Sequence, residues 1–290
     1  MANANGNADW RAQELGAART LELDGGRLNV HVTGDGPPVV FVHGLLVNAN
    51  LWRGVVARLD GFTRVALDMP LGSHRAAMPA RRLTPDDLGA LIGEAVQALG
   101  LEDVTLVGND SGGAVCQMLV TERPERIGRL VLTNCDCFDK FPPPAFKGMV
   151  LTARTPGGFR LLVQALRLRR LRRSQLAFGM LTVSEAGDDL LRSFTEPALH
   201  DAGVLRDGRE FVAGMRPADT RAAAAKLPAL TIPALIAWGT VDRFFTLADG
   251  RRLAATIPES RMVEIADAST FVSLDKPGEL ADAIAEFVSG

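Results

Sequence analysis

Short apolar runs alternate with longer amphipathic stretches along most of this 290-residue chain. An unbroken apolar run is typical of a parallel strand buried on both faces, and the stretches between the runs have helical spacing. The pattern predicts eight strands, at residues 20–23, 28–33, 39–42, 64–67, 104–107, 129–133, 234–238 and 262–265. The first two strands flank Asp24-Gly25-Gly26 and predict a hairpin. We therefore expect an α/β fold with a mostly parallel, doubly wound, eight-stranded sheet.

The alternation is interrupted after the sixth strand by a stretch that begins near Pro142-Pro143-Pro144 and is rich in leucine and arginine. We expect residues 138–230 to form a helical lid, residues 16–137 and 231–290 to form the core, and residues 1–15 to be disordered. A lid inserted there covers the carboxyl ends of the strands, where such sheets bind ligands. Elsewhere, Thr84-Pro85-Asp86-Asp87 has the residues of a helix start.

Seven arginines between positions 154 and 173 are interleaved with leucines. This spacing predicts an amphipathic lid helix with a basic outer face. This basic face has three possible roles: it is simply solvated, it recruits an anionic substrate, or it makes transient contact with a membrane.

Composition limits the classes of partner. The chain has 32 basic and 34 acidic residues, for a net charge of −2, which gives no electrostatic case for nucleic acid. No apolar run approaches the ~20 residues that span a bilayer, so we expect no stable membrane association. The first residues lack the basic and apolar parts of a signal peptide, which predicts a cytoplasmic protein. No metal-ligand spacing or phosphate-binding glycine loop is present, so we expect no metal and no cofactor. The expected partner is a small-molecule substrate, and the chain is also compatible with a homodimer.

The segment with the clearest chemistry is Gly108-Asn109-Asp110-Ser111-Gly112, between a predicted strand and a predicted helix. Strand, sharp turn and helix are the context of a nucleophile elbow, in which glycines flank a strained turn that exposes the central residue. The spacing predicts Asp110 as that residue.

With this elbow and with His43-Gly44 after a buried strand, the chain resembles the α/β-hydrolase superfamily. It is most similar to the aspartate-nucleophile branch, the epoxide hydrolases and haloalkane dehalogenases, from about residue 39 to residue 288. The resemblance implies that the backbone N–H groups of Leu45 and Ser111 form an oxyanion hole. It also implies that Asp242, in Trp238-Gly-Thr-Val-Asp242, is the acid of the triad.

The sequence departs from this branch at the triad histidine, whose place is taken by Thr270. A threonine hydroxyl is far too weak a base to activate water near neutral pH, and a positioned base contributes roughly 10²–10⁴-fold. The chain also has no tyrosine, the residue with which epoxide hydrolases of this branch protonate the oxirane. Ser111 stands where the dehalogenases carry a halide-binding tryptophan.

Other residues offer replacements for the missing base. His74 follows the strand at 64–67 and is a candidate for a relocated base at the carboxyl edge of the sheet. His43 is expected either to brace the oxyanion loop or to act as the base itself. Asp136, after the sixth strand, offers a second position for the acid. Carboxylates close to Asp110 would also raise one pKa and create a general acid.

These observations predict a hydrolase of a small, largely apolar substrate, such as an epoxide, an ester or a related electrophile. The enzyme would use Asp110 at the nucleophile elbow, as part of an incomplete or rearranged triad. Two alternatives stay open. One is a non-hydrolytic enzyme, an isomerase, lyase or cyclase, with Asp110 as general base. The other is a non-catalytic ligand-binding protein on a hydrolase scaffold.

Overall fold

A computed structural model describes residues 13–290 of the chain. All eight predicted strands are present, and each begins and ends within a few residues of its predicted position. They are β1 (Ala17–Leu23), β2 (Gly26–Thr33), β3 (Pro38–Val42), β4 (Thr63–Leu67), β5 (Val104–Asn109), β6 (Ile127–Cys135), β7 (Ala234–Gly239) and β8 (Ser260–Ile265).

The strands form one sheet in the order β1-β2-β4-β3-β5-β6-β7-β8. β2 is antiparallel to both of its neighbours, and the pairs from β4 to β8 are parallel. β3, β5, β6 and β7 lie in the middle of the sheet, and every residue of β5 and β7 is buried. The predicted mostly parallel, eight-stranded sheet is confirmed, and the unbroken apolar runs correspond to its central strands.

Helices connect the strands and cover the sheet. In chain order they are α1 (Arg53–Val56), α2 (Pro85–Ala98), α3 (Asp110–Glu122), α4 (Lys147–Arg154), α5 (Gly158–Ala165), α6 (Arg169–Arg172), α7 (Asp188–His200), α8 (Ala202–Gly214), α9 (Pro217–Lys226), α10 (Leu247–Thr256), α11 (Val272–Asp275) and α12 (Pro277–Ser289). Short 3₁₀ turns lie at Gln13–Leu15, Ala49–Trp52, Pro144–Phe146, Phe178–Met180 and Leu227–Ala229.

The predicted start of α2 is a capping box. The Thr84 N–H donates to Asp87 Oδ2 at 3.2 Å, and the Asp87 N–H donates to Thr84 Oγ1 at 3.4 Å. Each side chain thus satisfies a backbone N–H group that the first turn of a helix leaves unpaired.

Helices α4 to α9 lie between β6 and β7 and form the helical insertion. Its arginine-rich part differs from the prediction, because residues 154–173 are not one helix. α4 ends at Arg154, and the chain then passes through Thr155-Pro156-Gly157, with Gly157 at a φ of +74°. Proline and a left-handed glycine end the helix there, since neither continues a right-handed helix well.

The lid is joined to the core by hydrogen bonds as well as by apolar contacts. Asp275 of α11 accepts the N–H groups of Val183 and Ser184 at 3.0 and 2.9 Å. Phe271 donates its N–H to Leu181 O at 2.8 Å. The loop after β8 therefore holds the lid segment that follows the turn at Phe178–Met180.

The chain start was expected to be disordered over residues 1–15, and residues 1–12 lie outside the described part. In the described part of the chain, the expectation is wrong for Gln13–Leu15. These residues form a 3₁₀ turn that places Leu15 in the core with 1% exposure. Burial of this large apolar side chain against the core offsets part of the entropy cost of ordering the turn. Across residues 13–290, no helix is both long enough and apolar enough to cross a bilayer.

Candidate active site

The turn between β5 and α3 has the geometry that its glycines predicted. Asp110 is the first residue of α3 and has a φ of +53°, in the left-handed region that a side chain rarely occupies. A Cβ atom on Gly112 would lie 2.3 Å from His43 O, and one on Gly108 would lie 2.7 Å from Gly113 Cα. The strained turn is therefore packed too closely to admit any larger residue at either glycine.

Asp110 opens into a cavity of about 480 Å³ between the sheet and the lid. Four of the residues that line it have polar side chains: Asp110, Ser111, Asp136 and Gln175. The others are apolar, namely Leu45, Leu46, Pro142, Pro143, Ala145, Phe146, Met149, Leu162, Ala165, Leu166, Leu171, Leu176, Ala177, Phe178, Met180, Leu181 and Met215. An apolar cavity with a few convergent polar groups is the usual form of a small-molecule site.

The carboxyl group of Asp110 faces two backbone N–H groups, those of Ser111 and Leu45. These donors lower its pKa, but burial has the larger effect and raises the pKa to about 7, with the charge of Asp242 adding to the rise. The Leu45 N–H also donates to Ser111 Oγ at 2.9 Å. The expected oxyanion donors thus lie beside the Asp110 carboxyl group, and the Leu45 N–H is held in place by Ser111 Oγ.

Gly44 is what lets the carboxyl group lie so close to this loop. A Cβ atom at position 44 would come within 2.2 Å of Asp110 Oδ2. The His43-Gly44 segment therefore shapes the site in two ways. Gly44 leaves room for the Asp110 carboxyl group, and the segment positions the Leu45 N–H group beside it.

Asp136 is the second carboxyl group that lines the cavity. It follows β6, and its N–H donates to Asp110 O at 3.3 Å. The residue is 1% exposed, and its Oδ1 has no hydrogen-bond partner within the described residues. Burial raises the pKa of Asp136 well above its ordinary value, and the charge of Asp110 raises it further against the opposing effect of Lys140. Burial and a second carboxylate nearby both favour the protonated form of such a carboxyl group.

Asp242 occupies a different environment and does not line the cavity. Its Oδ1 accepts the N–H groups of Phe244 and Phe245 at 2.7 and 3.2 Å. Its Oδ2 accepts Thr270 Oγ1 at 2.8 Å and Asn134 Nδ2 at 3.1 Å. Burial raises the pKa of Asp242, and these four donors oppose the rise. Asp242 is therefore close enough to influence Asp110 electrostatically without meeting a ligand.

Thr270 is completely buried beside Asp242 and also does not line the cavity. Its hydroxyl donates to the Asp242 carboxylate, which is the bond that the imidazole of a triad would make. The place of a triad histidine predicts a residue that faces the pocket, but the structure turns Thr270 toward Asp242 rather than toward the ligand space.

All four histidines lie within the described residues, and none of them lines the cavity. His74 was expected to reach it as a relocated base, and the structure corrects this. Its Nε2 is 3.1 Å from Asp207 Oδ2 in α8, and the ring is 2% exposed. The loop after β4 thus turns His74 toward the lid, where an Asp–His pair connects the two layers.

His43 has the bracing role that was one of its two expected roles. Its Nε2 accepts the Met69 N–H at 2.9 Å, so the ring proton lies on Nδ1, which donates to Gly44 O at 2.9 Å. With both nitrogens engaged, His43 holds the oxyanion loop against the end of β4.

Two asparagines of the site were missed in the sequence. Asn109 Nδ2 donates to Thr270 O at 2.7 Å and to Thr133 Oγ1 at 2.9 Å, joining the elbow to the loop after β8. Asn134 connects Asp242 to Gly239, whose N–H donates to Asn134 Oδ1 at 2.6 Å. The signal was a polar residue at the end of an otherwise apolar strand. Within residues 13–290, no three His, Cys, Asp or Glu side chains are grouped as metal ligands.

The position of Thr270 leads to a first prediction. Thr270→Val keeps the shape of the side chain and removes one of the four donors to Asp242, so we expect a loss of about 1–2 kcal/mol in the free energy of unfolding. Turnover per folded molecule should be unchanged, because Thr270 does not meet the ligand space. Urea unfolding and steady-state rates measure the two effects, and a rate loss of about 100-fold would place the hydroxyl in the reaction.

Comparison with known proteins gives three results. Residues 37–277 match the family model described as alpha/beta hydrolase fold. The chain is 30% identical over 279 residues to haloalkane dehalogenase 2 of Mycobacterium tuberculosis (strain ATCC 25618 / H37Rv), covering 93% of this chain and 94% of that protein. It is 27% identical over 262 residues to a 2-hydroxy-6-oxononadienedioate/2-hydroxy-6-oxononatrienedioate hydrolase of Pseudomonas sp, covering 86% and 88%.

Among solved structures, the fold is similar to that of the haloalkane dehalogenase DatA from Agrobacterium tumefaciens C58. The TM-score is 0.79 at 21% sequence identity, and the match covers 96% of this chain and 99% of that chain. The sheet and the inserted helices are thus shared over nearly the whole length of both chains.

Proposed function

The chain belongs to the α/β-hydrolase family, and we propose that it hydrolyses a small, largely apolar epoxide with two cavity carboxyl groups, Asp110 as nucleophile and Asp136 as acid and then base. One observation carries the proposal. Asp110 and Asp136 line the same apolar cavity, and burial raises both pKa values. Two buried carboxyl groups that share one site do not ionise independently, so one can be ionised while the other is protonated, as an acid–base pair requires.

In the first step, the Asp110 carboxylate attacks a carbon of the oxirane. The C–O bond of the ring breaks as the ester bond forms, and the oxygen takes the proton of Asp136. The products are a hydroxyalkyl ester on Asp110 and an Asp136 carboxylate. Asp136 therefore replaces a tyrosine hydroxyl as the proton donor, since the chain contains no tyrosine.

In the second step, the Asp136 carboxylate takes a proton from a water that attacks the ester carbonyl carbon. The N–H groups of Leu45 and Ser111 stabilise the charge on the carbonyl oxygen. Collapse releases the alkoxide, which takes the remaining proton of the Asp110 carboxyl group and leaves as the diol. Asp136 is protonated again and Asp110 is ionised, so the cycle closes with one water consumed. Asp136 thus takes the part of the imidazole that Thr270 cannot supply.

The leaving atom favours an epoxide over a haloalkane. A halide leaves without a proton but needs donors to hold it, and Ser111 stands where the dehalogenases carry a halide-binding tryptophan. An oxirane oxygen needs a proton, and the raised pKa of Asp136 favours the protonated form that can give one in the cavity. The similarity to a protein named haloalkane dehalogenase therefore supports attack by Asp110 on carbon more than it supports a halide as the leaving group.

Oxygen labelling tests the proposal. With enzyme in excess over a terminal alkyl epoxide in H₂¹⁸O, a single turnover should give unlabelled diol and place ¹⁸O in the Asp110 carboxyl group, since the first product oxygen comes from the aspartate. Diol that carries ¹⁸O after one turnover would show water attack without an ester. Absence of diol from alkyl, aryl and cyclic epoxides would overturn the proposal.

Two observations favour a second candidate, a non-hydrolytic isomerase, lyase or cyclase with Asp110 as general base. The pKa of about 7 suits a base at neutral pH, and no imidazole lines the cavity to assist hydrolysis. In the same experiment, such an enzyme would convert its substrate without placing ¹⁸O in the product or in Asp110.

The two carboxyl groups predict a bell-shaped pH dependence. The rate of ester formation should rise with pH through about 7 as Asp110 loses its proton and becomes nucleophilic. It should fall at higher pH, where Asp136 loses the proton that it donates to the oxirane. Measurement of kcat/KM from about pH 5 to about pH 10 shows both limbs, and a rate that falls steadily through pH 7 would contradict this assignment.

A further inference from the structure

Large exposed apolar side chains are concentrated in one part of the lid. Six large hydrophobic residues are strongly exposed within the described part of the chain, and five of them lie between positions 151 and 183. These five are Leu151, Leu161, Leu168, Leu176 and Val183, with exposures from 56% to 80%. Single exposed leucines are common on protein surfaces, but such a concentration in one segment is typical of a contact surface.

The same part of the lid has a local excess of positive charge. From residue 140 to residue 184 there are nine basic residues and no acidic residue, although the whole chain has a net charge of −2. Arg160, Arg167 and Arg170 are exposed and form no ion pair within residues 13–290. Arg169 and Arg172, by contrast, pair with Asp188. The unpaired arginines lie next to the exposed leucines along the chain.

This lid surface also adjoins the cavity. Leu176 is 80% exposed and lines the cavity as well, so it lies where the cavity meets solvent. In α5, Leu161 is exposed while Leu162 lines the cavity. One short helix therefore contacts the ligand space on one side and solvent on the other.

From these three observations we propose that the lid surface formed by the five exposed apolar residues with Arg160, Arg167 and Arg170 docks reversibly on an anionic lipid bilayer. The leucines enter the boundary between headgroups and acyl chains, and the arginines pair with lipid phosphates. Docking places the cavity entrance against the phase in which apolar molecules accumulate.

Vesicle flotation tests the docking without any need for turnover, so an enzyme that is inactive on epoxides would leave this test unaffected. The probes are vesicles of phosphatidylcholine alone and vesicles with one-third phosphatidylglycerol, each at low and at high salt. We expect the protein to float with the anionic vesicles at low salt and to be released at high salt.

Two lid variants with matched controls assign the contact. Arg160→Gln/Arg167→Gln/Arg170→Gln should lower the partition coefficient about 100-fold, at about fivefold for each charge. Arg19→Gln/Arg82→Gln/Arg123→Gln removes three exposed arginines outside the lid and should leave it unchanged. Leu161→Ser/Leu168→Ser should lower it about tenfold, whereas Val241→Ser, at the exposed apolar residue outside the lid, should not.

Three outcomes would overturn the proposal: no flotation with anionic vesicles, equal flotation with neutral vesicles, or equal losses in the lid variants and their controls. Sedimentation equilibrium adds a fourth. If the wild type is a dimer that Leu161→Ser/Leu168→Ser converts to a monomer, this surface joins two copies of the chain and the lipid assignment is wrong.

Discussion

Replacing Asp110 by asparagine should lower turnover at least about 10⁴-fold, because the amide has no negative charge with which to attack carbon. Intact-protein mass spectrometry after incubation with epoxide should detect an ester adduct on the wild-type protein and none on the variant. Asp139→Asn is the matched control, since Asp139 is exposed and pairs with Arg221 away from the cavity. Retention of more than a few per cent of the wild-type rate would exclude Asp110 from the reaction.

The same variant should be more stable than the wild type at pH 8. The pKa of Asp110 is raised to about 7 in the folded chain, whereas an unfolded aspartate loses its proton near pH 4. Between these values the unfolded state binds fewer protons, so the wild type loses stability as the pH rises from about 4 to about 7. Since Asp110 is half-buried and partly screened, we expect a gain of about 2 kcal/mol for Asp110→Asn at pH 8 and none at pH 4. Thermal unfolding of both proteins at the two pH values measures this difference. The same experiment shows whether the variant is folded, so that a loss of activity is not mistaken for a loss of folding.

Asp136→Asn should slow epoxide opening about 10²–10⁴-fold, because asparagine has no acidic proton to give to the oxirane oxygen. The alkaline limb of the pH profile should disappear with it, since that limb reports the titration of Asp136. Asp139→Asn serves again as the control, three residues along the chain and exposed. A merely structural role for Asp136 would lower the rate at every pH and leave the alkaline limb in place.

The second role of Asp136 has its own readout. An alkyl iodide needs no proton for its leaving group, and iodide leaves carbon with little help from donors, so slow ester formation on Asp110 should persist in Asp136→Asn. Hydrolysis of that ester needs a base, and the variant should therefore accumulate one adduct per chain by mass spectrometry. Release of the adduct at the wild-type rate would show that another group activates water.

The lid shows where local sequence patterns stop being sufficient. The leucine and arginine spacing predicted one amphipathic helix over residues 154–173, and the chain forms α5 and α6 as separate short helices instead. Pro156-Gly157 ends a helix within this stretch, and the periodicity of leucine and arginine does not register such a break. Arg172, expected on an outer basic face, is 5% exposed and pairs with Asp188 sixteen positions away.

The sequence by itself determined the sheet and the sharp turn at Asp110, and it predicted that Thr270 takes the place of a triad histidine. Strand and helix periods, glycine spacing and the identity of residue 270 are local properties, and they are the same whichever way the side chains later pack. Only the tertiary structure decided that Asp136 lines the cavity while Asp242 does not, and that His74 turns to Asp207, 133 positions along the chain. The direction of a side chain after a strand depends on what the distant lid presents to it, and a linear sequence does not contain that packing.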